Sequence, residues 1–309
     1  MNALDDALRK AILAAAASDQ LERFAGRYGM HLGASRFVAG QTLDECVAVL
    51  KRLNAEGFKA NTTLLGESVA DEDDARAVVT EYERILDRID AEGLRVNVAL
   101  KLTHLGLELD EELAYENVEQ VVRRASGLGT FVRIDMEDSS IVDATLRIYR
   151  RLREAGLDAV GTVLQSYLYR TDQDLRDLLP LRPNLRIVKG AYLEPDSVAY
   201  ARKADVDYAY ARLVELSLRE GGYTAIATHD ERLIEHAIAF AQREGIPNAR
   251  FELQMLYGVR PSLQRALLER GFEVLVAAPF GPEWFPFFMR RLAERPANLG
   301  FVAKNLLRG

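Results

Sequence analysis

Several short apolar runs in this chain end on polar or charged residues, and those residues could do chemistry. They are Glu67, Lys101, Asp135, Gln165, Arg186 with Lys189 and Tyr192, Thr228 with His229, and Gln254. A buried charge is costly unless a partner or a ligand meets it. One polar strand end would mean little, whereas a ring of them describes a polar cavity. A further pair, Arg290 and Arg291, lies in the helical pattern FPFFMRRLAERP. Adjacent helical residues differ by about 100° in direction, so both could reach only a cleft beside the helix. Arg290 and Glu294 stand at i, i+4 and could support each other. Two guanidinium forks suit the two oxygens of a carboxylate. Cations at Lys101, Arg186, Lys189, Arg290 and Arg291 therefore point to an anionic ligand, with Glu67, Asp135 and Glu294 as their counter-charges.

Each of these residues also has a simpler structural explanation. Lys101 could pair with a nearby carboxylate, His229 could hydrogen-bond at a strand end, and Arg290–Arg291 could be a solvated helix face. Asp135 could be a helix N-cap, but Asp138, just before Ser139 and Ser140, is the better cap candidate and leaves Asp135 for the cavity. His31, His104, His229 and His236 show no HExxH spacing, and no metal site is expected.

Eight β-rich runs must carry these groups: 59–67, 95–102, 131–138, 158–167, 185–192, 224–230, 250–257 and 273–280. Each is nearly continuous in apolar residues, as strands buried on both faces are. Between them apolar residues recur at three- and four-residue steps, as in 70–93, 116–129 and 139–156. Gly93, Gly129, Gly156, Gly245 and Gly271 close several of these segments, where a left-handed residue ends a helix. The alternation predicts an α/β fold, a (β/α)8 TIM barrel over 59–309, with residues 1–58 as an N-terminal helical extension packed beside or under it. An open doubly wound sheet is the rival, weakened by the lack of a GxGxxG after the early strands.

Composition is that of an ordinary globular chain: 309 residues, 49% hydrophobic, 28% charged, formal charge −7. The acidic balance argues against a nucleic-acid partner and against strong attraction to anionic lipid. A lone Cys46 excludes an internal disulfide and fits a reducing, cytoplasmic compartment. The apolar run 11–17 is too short to span a bilayer and has the wrong flank for a signal peptide.

The segments LGE (65–67), ALKLTHLGL (99–107), RIDMED (133–138), VLQSYLYRT (163–171), RIVKGAYLEP (186–195), ATHDE (227–231), FELQMLYG (251–258) and RRLAERPANLGFV (290–302) resemble the proline dehydrogenase family, in its order and over nearly the whole barrel. RIVKGAY together with RRxxE is the most specific part. The length is similar to that of the single-function bacterial members. The resemblance implies non-covalent FAD at the C-terminal mouth and oxidation of a small cyclic amino acid to pyrroline-5-carboxylate, with electrons passed to a membrane quinone. It implies Asp135 and Arg186 as catalytic residues, Arg186 near the flavin N5. It implies a cofactor site of Met136, Gln165, Arg186, Lys189, Gly190, Ala191, Thr228 and His229. Lys101, Arg290 and Arg291 would bind the substrate carboxylate, Tyr192 and Leu256 would wall its ring, and Glu67 would gate the site by pairing with Arg291. No membrane-docking element is visible, though a peripheral contact is compatible with a quinone acceptor.

One position departs from the family pattern. Proline-specific members carry Tyr two residues before the Pro at the end of the last strand, and here that place is Ala277 in VAAPFG. The resemblance therefore leaves two substrates open, proline or an enlarged analogue such as 4-hydroxyproline. Two other functions remain: a Schiff-base aldolase using Lys101 or Lys189, and a non-catalytic ligand-binding barrel.

Overall fold

The computed structural model describes residues 34–66, 68–285 and 287–289. Glu67, Arg290, Arg291 and Glu294, with residues 1–33, lie outside the described residues.

Eight parallel strands close in sequence order into a barrel: β1 (Lys59–Thr63), β2 (Val96–Leu100), β3 (Val132–Ile134), β4 (Val160–Gln165), β5 (Asn184–Val188), β6 (Tyr223–Ala227), β7 (Phe251–Leu256) and β8 (Val274–Ala277). Six lie within their expected runs, and β5 and β6 each begin one residue earlier, at Asn184 and Tyr223. The strands are shorter at their C-terminal ends because the last polar residues turn out of the ladder into the mouth loops. Among the described residues, bounded helices follow β1 to β7: α2 (Glu72–Ala91), α3 (Glu111–Gly127), α4 (Val142–Glu154), α5 (Thr171–Leu178), α6 (Lys203–Glu220), α7 (Glu231–Arg243) and α8 (Pro261–Glu269), and residues 284–285 and 287–289 after β8 are also helical. An eighth, α1 (Leu43–Ala55), precedes β1. Gly93, Gly129, Gly156, Gly245 and Gly271 all take positive φ just past helix ends, as expected.

The place of α1 shapes the mouth. A capping box of Thr42 and Glu45 starts this helix, and its buried face includes Cys46, Val47 and Leu50. Its other flanks are ion-paired to both neighbours. Asp44 meets Arg88 of α2 at 3.1 Å, and Glu56, just past the end of α1, meets Arg265 of α8 at 3.4 Å. Thus α1 fills the ring position between α8 and α2, where a helix following β8 would ordinarily sit. The chain after β8 is free to turn over the mouth instead. There Trp284, Phe285 and Phe288 pack with Leu65 and with Ala34, Phe37 and Val38. The Ala39 N–H bonds Pro279 O at 2.7 Å, and the Leu65 N–H bonds Phe280 O at 2.8 Å. Residues 34–40 accordingly lie over the C-terminal ends of β8 and β1, and α1 lies beside the barrel. Among the described residues no helix is long and apolar enough to cross a membrane.

Candidate active site

Side chains alternate in and out along a strand, so Arg133 and Asp135, Asn184 and Arg186, and Glu252 and Gln254 all enter the barrel. The centre of the mouth is an ion pair. Arg186 Nη1 donates to Asp135 Oδ1 at 2.7 Å, and Arg186 Nε donates to Gln254 Oε1 at 2.6 Å. The Arg186 side chain is only 11% exposed, so both bonds operate where water competes poorly. Lys101 and Asp135 open adjacent loops, since the Asp135 N–H bonds Leu100 O at 2.8 Å. Beside them Met136 is buried, and Gln165 Nε2 donates to Glu137 O at 2.8 Å.

A second group stands at the ends of β5 and β6. Lys189 Nζ lies 2.6 Å from Asp207 and 3.4 Å from Asp230, and Lys203 contacts the same two carboxylates. Burial acts to raise the Asp230 pKa, but hydrogen bonding by Arg232 and the charges of Lys189 and Arg232 win and hold it down at about 2. The same contest, decided by Lys189 and Lys203, lowers Asp207. Lys189 thus belongs to this cluster, apart from the Asp135–Arg186 pair. Its nitrogen is held by two carboxylates.

Gly190 follows with φ +115°, and a Cβ there would come 2.2 Å from Tyr167 Cδ1. Only glycine lets this loop lie on the Tyr167 ring. Glu194 ties the same loop across the mouth: it accepts from the Ser139 N–H at 2.7 Å and from Ser139 Oγ at 2.5 Å. Ala191 is exposed and Tyr192 half-buried.

At the end of β6, buried Thr228 accepts from the Asp230 N–H at 3.2 Å. The Leu256 N–H donates to His229 Nε2 at 2.9 Å, which assigns the ring proton to Nδ1 in the neutral form. Leu256 and Ala277, the last residues of β7 and β8, are register partners and form one half-buried apolar wall.

One expectation is corrected. Asp138 does not cap α4. Its carboxylate accepts from the Ser140 N–H at 2.9 Å and from Ser140 Oγ. The helix begins only after Ile141, which makes no side-chain cap bond. A carboxylate spent on a local turn cannot also serve the helix N–H groups.

Sequence reasoning did not single out Glu252, Asp207 or Asp230. Glu252 had a signal: it stands two residues before Gln254 and so shares its inward face. Asp230 adjoins His229. Asp207 had none, because on α6 it reads as one more charge on a solvated face.

A closed parallel barrel with charged and hydrogen-bonding groups at the C-terminal ends of its strands defines a (β/α)8 protein whose candidate site lies at that mouth. The proline dehydrogenase family profile matches residues 46–304. Proline dehydrogenase 1 of Bacillus subtilis is 42% identical over 301 residues, covering 97% of this chain and 99% of that protein. Proline dehydrogenase of Deinococcus radiodurans is 42% identical over 314 residues, covering 99% of this chain and all of that one. Among solved structures, proline utilization A (PutA) of Bdellovibrio bacteriovorus, inactivated by N-propargylglycine, superposes with a TM-score of 0.81 at 23% identity. It shares the fold over 87% of this chain, which spans 33% of that longer protein. The chain belongs to the proline dehydrogenase family, a family of FAD-dependent oxidoreductases.

Proposed function

We propose that this chain oxidises L-proline, or its 4-hydroxy analogue, to the cyclic imine acid at the C-terminal mouth of the barrel. The observation that carries this is the part-buried Asp135–Arg186–Gln254 chain of hydrogen bonds at the centre of that mouth. The donor set fits FAD: a guanidinium at Arg186, an amide at Gln165, a hydroxyl at Thr228, and exposed cations Lys203 and Arg232 at the rim for a pyrophosphate. Met136, Gln165, Arg186, Lys189, Gly190, Ala191, Thr228 and His229 would hold it. When bound, FAD supplies the acceptor for the hydride that leaves the carbon beside the ring nitrogen.

The protein's part is positioning and charge. Lys101, Arg290 and Arg291 bind the carboxylate and so fix the distance and angle of the reacting carbon. Tyr192, Leu256 and Ala277 wall the ring. Asp135 is a catalytic residue that orients the polar network, and Arg186 presents its positive charge where negative charge gathers. The substrate nitrogen must lose its proton before hydride departs, because only a neutral amine can push electrons into the new C=N bond. On this reading Glu67 would pair with Arg291 as a gate that excludes water. The domain division on this reading is a catalytic barrel over 59–309 with 1–58 as its extension. A cytoplasmic enzyme in peripheral contact with the membrane would pass the electrons on to a quinone.

Ala277 determines how large a ring fits. Without an aromatic cover the wall loses packing worth roughly 1–3 kcal/mol, about 10- to 200-fold in discrimination. The test is kcat/KM for proline against trans-4-hydroxy-L-proline. The reading expects the hydroxylated substrate to be used at least comparably, and a strong preference for proline would reject the open wall.

A further inference from the structure

We propose that Glu252 is a positioning residue that sets the orientation of Arg186 through Gln254; this rests on the role given to Arg186 above. Glu252 lies on β7, deeper in the barrel than the reacting groups, and is only 5% exposed. Gln254 Nε2 donates to Glu252 Oε1 at 2.6 Å, while Gln254 Oε1 accepts from Arg186 Nε at 2.6 Å. Arg186 Nη1 then reaches Asp135. Four side chains from three strands therefore form one line from the interior to the mouth.

The direction of that line follows from what each group can do. A guanidinium can only donate, and a carboxylate can only accept. An amide between them has one workable orientation, with its oxygen toward Arg186 and its nitrogen toward Glu252. If Glu252 became apolar, the amide could turn over and present N–H groups to a guanidinium. Arg186 Nε would then lose its acceptor and the side chain its fixed rotamer.

Glu252 is itself anchored. The Tyr223 hydroxyl donates to its Oε2 at 3.2 Å, and Lys59 Nζ stands 3.9 Å from the same oxygen. Burial, reinforced by the Glu252 charge, raises the Tyr223 pKa and keeps the phenol a donor. Glu252 also offsets the buried charge of Arg133, whose guanidinium bonds Thr162 O, Asn184 O and Asn184 Oδ1. A buried carboxylate is a poor way to stabilise a barrel, since well-packed apolar residues often do as well. Its use here is specificity of orientation.

The test uses the holoenzyme and the variants Glu252→Leu, Glu252→Gln, Gln254→Leu, the Glu252→Leu/Gln254→Leu double, and Arg186→Lys. Four quantities are read for each: kcat per bound flavin and KM for proline with an artificial acceptor, the dissociation constant for FAD, and the thermal midpoint. Glu252→Leu and Gln254→Leu should each lower kcat per bound flavin by about 10- to 100-fold, the usual cost of a small misplacement, with KM within about threefold. The Leu/Leu double should be no worse than the poorer single, because the two act in series. Glu252→Gln keeps an acceptor oxygen and should recover most of the rate. A purely structural role would lower the midpoint or FAD affinity and leave kcat per bound flavin intact, and that result overturns the proposal, as would additive losses in the double. If Glu252→Leu does not fold, Glu252→Met, which likewise removes the acceptor, is measured alone and on the Gln254→Leu background: a loss that vanishes on that background supports the series, and an equal loss on both, or no loss in the single variant, refutes it. If Arg186→Lys leaves kcat unchanged, the role of Arg186 fails; if only Arg186→Lys is impaired, the relay alone fails.

Discussion

Arg186 on β5 and Asp135 at the end of β3 meet at 2.7 Å although β4 stands between them. The long guanidinium side chain spans the barrel interior and binds a carboxylate two strands away. A second arginine spans the same two strands one layer deeper, where Arg133 of β3 donates to the backbone carbonyl and the side-chain amide oxygen of Asn184 of β5. Gly161 of β4 makes room for it: a Cβ there would fall 2.5 Å from Arg133 Nη1.

Arg186→Lys should retain the fold and lose most of the activity. A lysine cannot bond Asp135 and Gln254 at once with the fixed fork of a guanidinium. The loss should be about 2–3 kcal/mol in transition-state stabilisation, roughly 30- to 150-fold in kcat/KM. Steady-state kinetics on flavin-loaded enzyme check this, and a change under threefold would contradict it.

Gly190→Ala should lower both flavin retention and stability. The φ of +115° and the 2.2 Å approach to Tyr167 force either the loop or the ring to move. Strain of this kind costs about 1–3 kcal/mol. The ratio of flavin to protein absorbance after purification and the thermal midpoint report the two effects.

The Asp230 carboxylate should stabilise the protein over a wide pH range. Its pKa falls from the ordinary 3.8 to about 2 on folding. A depressed carboxylate contributes fully above the unfolded value and loses its contribution as pH falls through the folded one. The difference in thermal midpoint between wild type and Asp230→Asn should be constant from about pH 5 to 8 and close between about pH 4 and 2. A gap that closed near neutrality would contradict the arrangement.

Cys46 should be inert in the native protein. Burial pushes its thiol up to about 12, against the smaller opposing effect of Thr62, and the thiolate is the reactive form. Thiol titration at pH 8 should find no reactive group before denaturation and one after it.

How much of this could be read from the residues differs by level. All eight strands fall on their expected runs to within one residue, because a strand buried on both faces leaves a nearly continuous apolar trace. The five terminal glycines were legible for the same local reason. The position of α1 was not, since a helix before β1 and a helix after β8 carry the same periodicity and only their ion-pair partners tell them apart. At the site, the polar strand ends announced Asp135, Arg186 and Gln165, which stand out against apolar neighbours. Lys189 was legible as a mouth residue, but its attachment to Asp207 was not, because that pairing joins a strand end to a helix face. Glu252 stood in plain view in FELQ, two residues from Gln254, and was passed over as part of the strand. Kinetics on variants of Glu67, Arg290 and Arg291 test the gate and carboxylate-binding roles assigned to them.

The most direct measurement is an anaerobic titration of the flavin-loaded enzyme with L-proline and with trans-4-hydroxy-L-proline, followed through the flavin absorbance. The account predicts stoichiometric bleaching by at least one of them, slowed at least 30-fold by Arg186→Lys. A flavin-loaded protein whose colour neither substrate changes, or that bleaches at the same rate with Arg186→Lys, would contradict it.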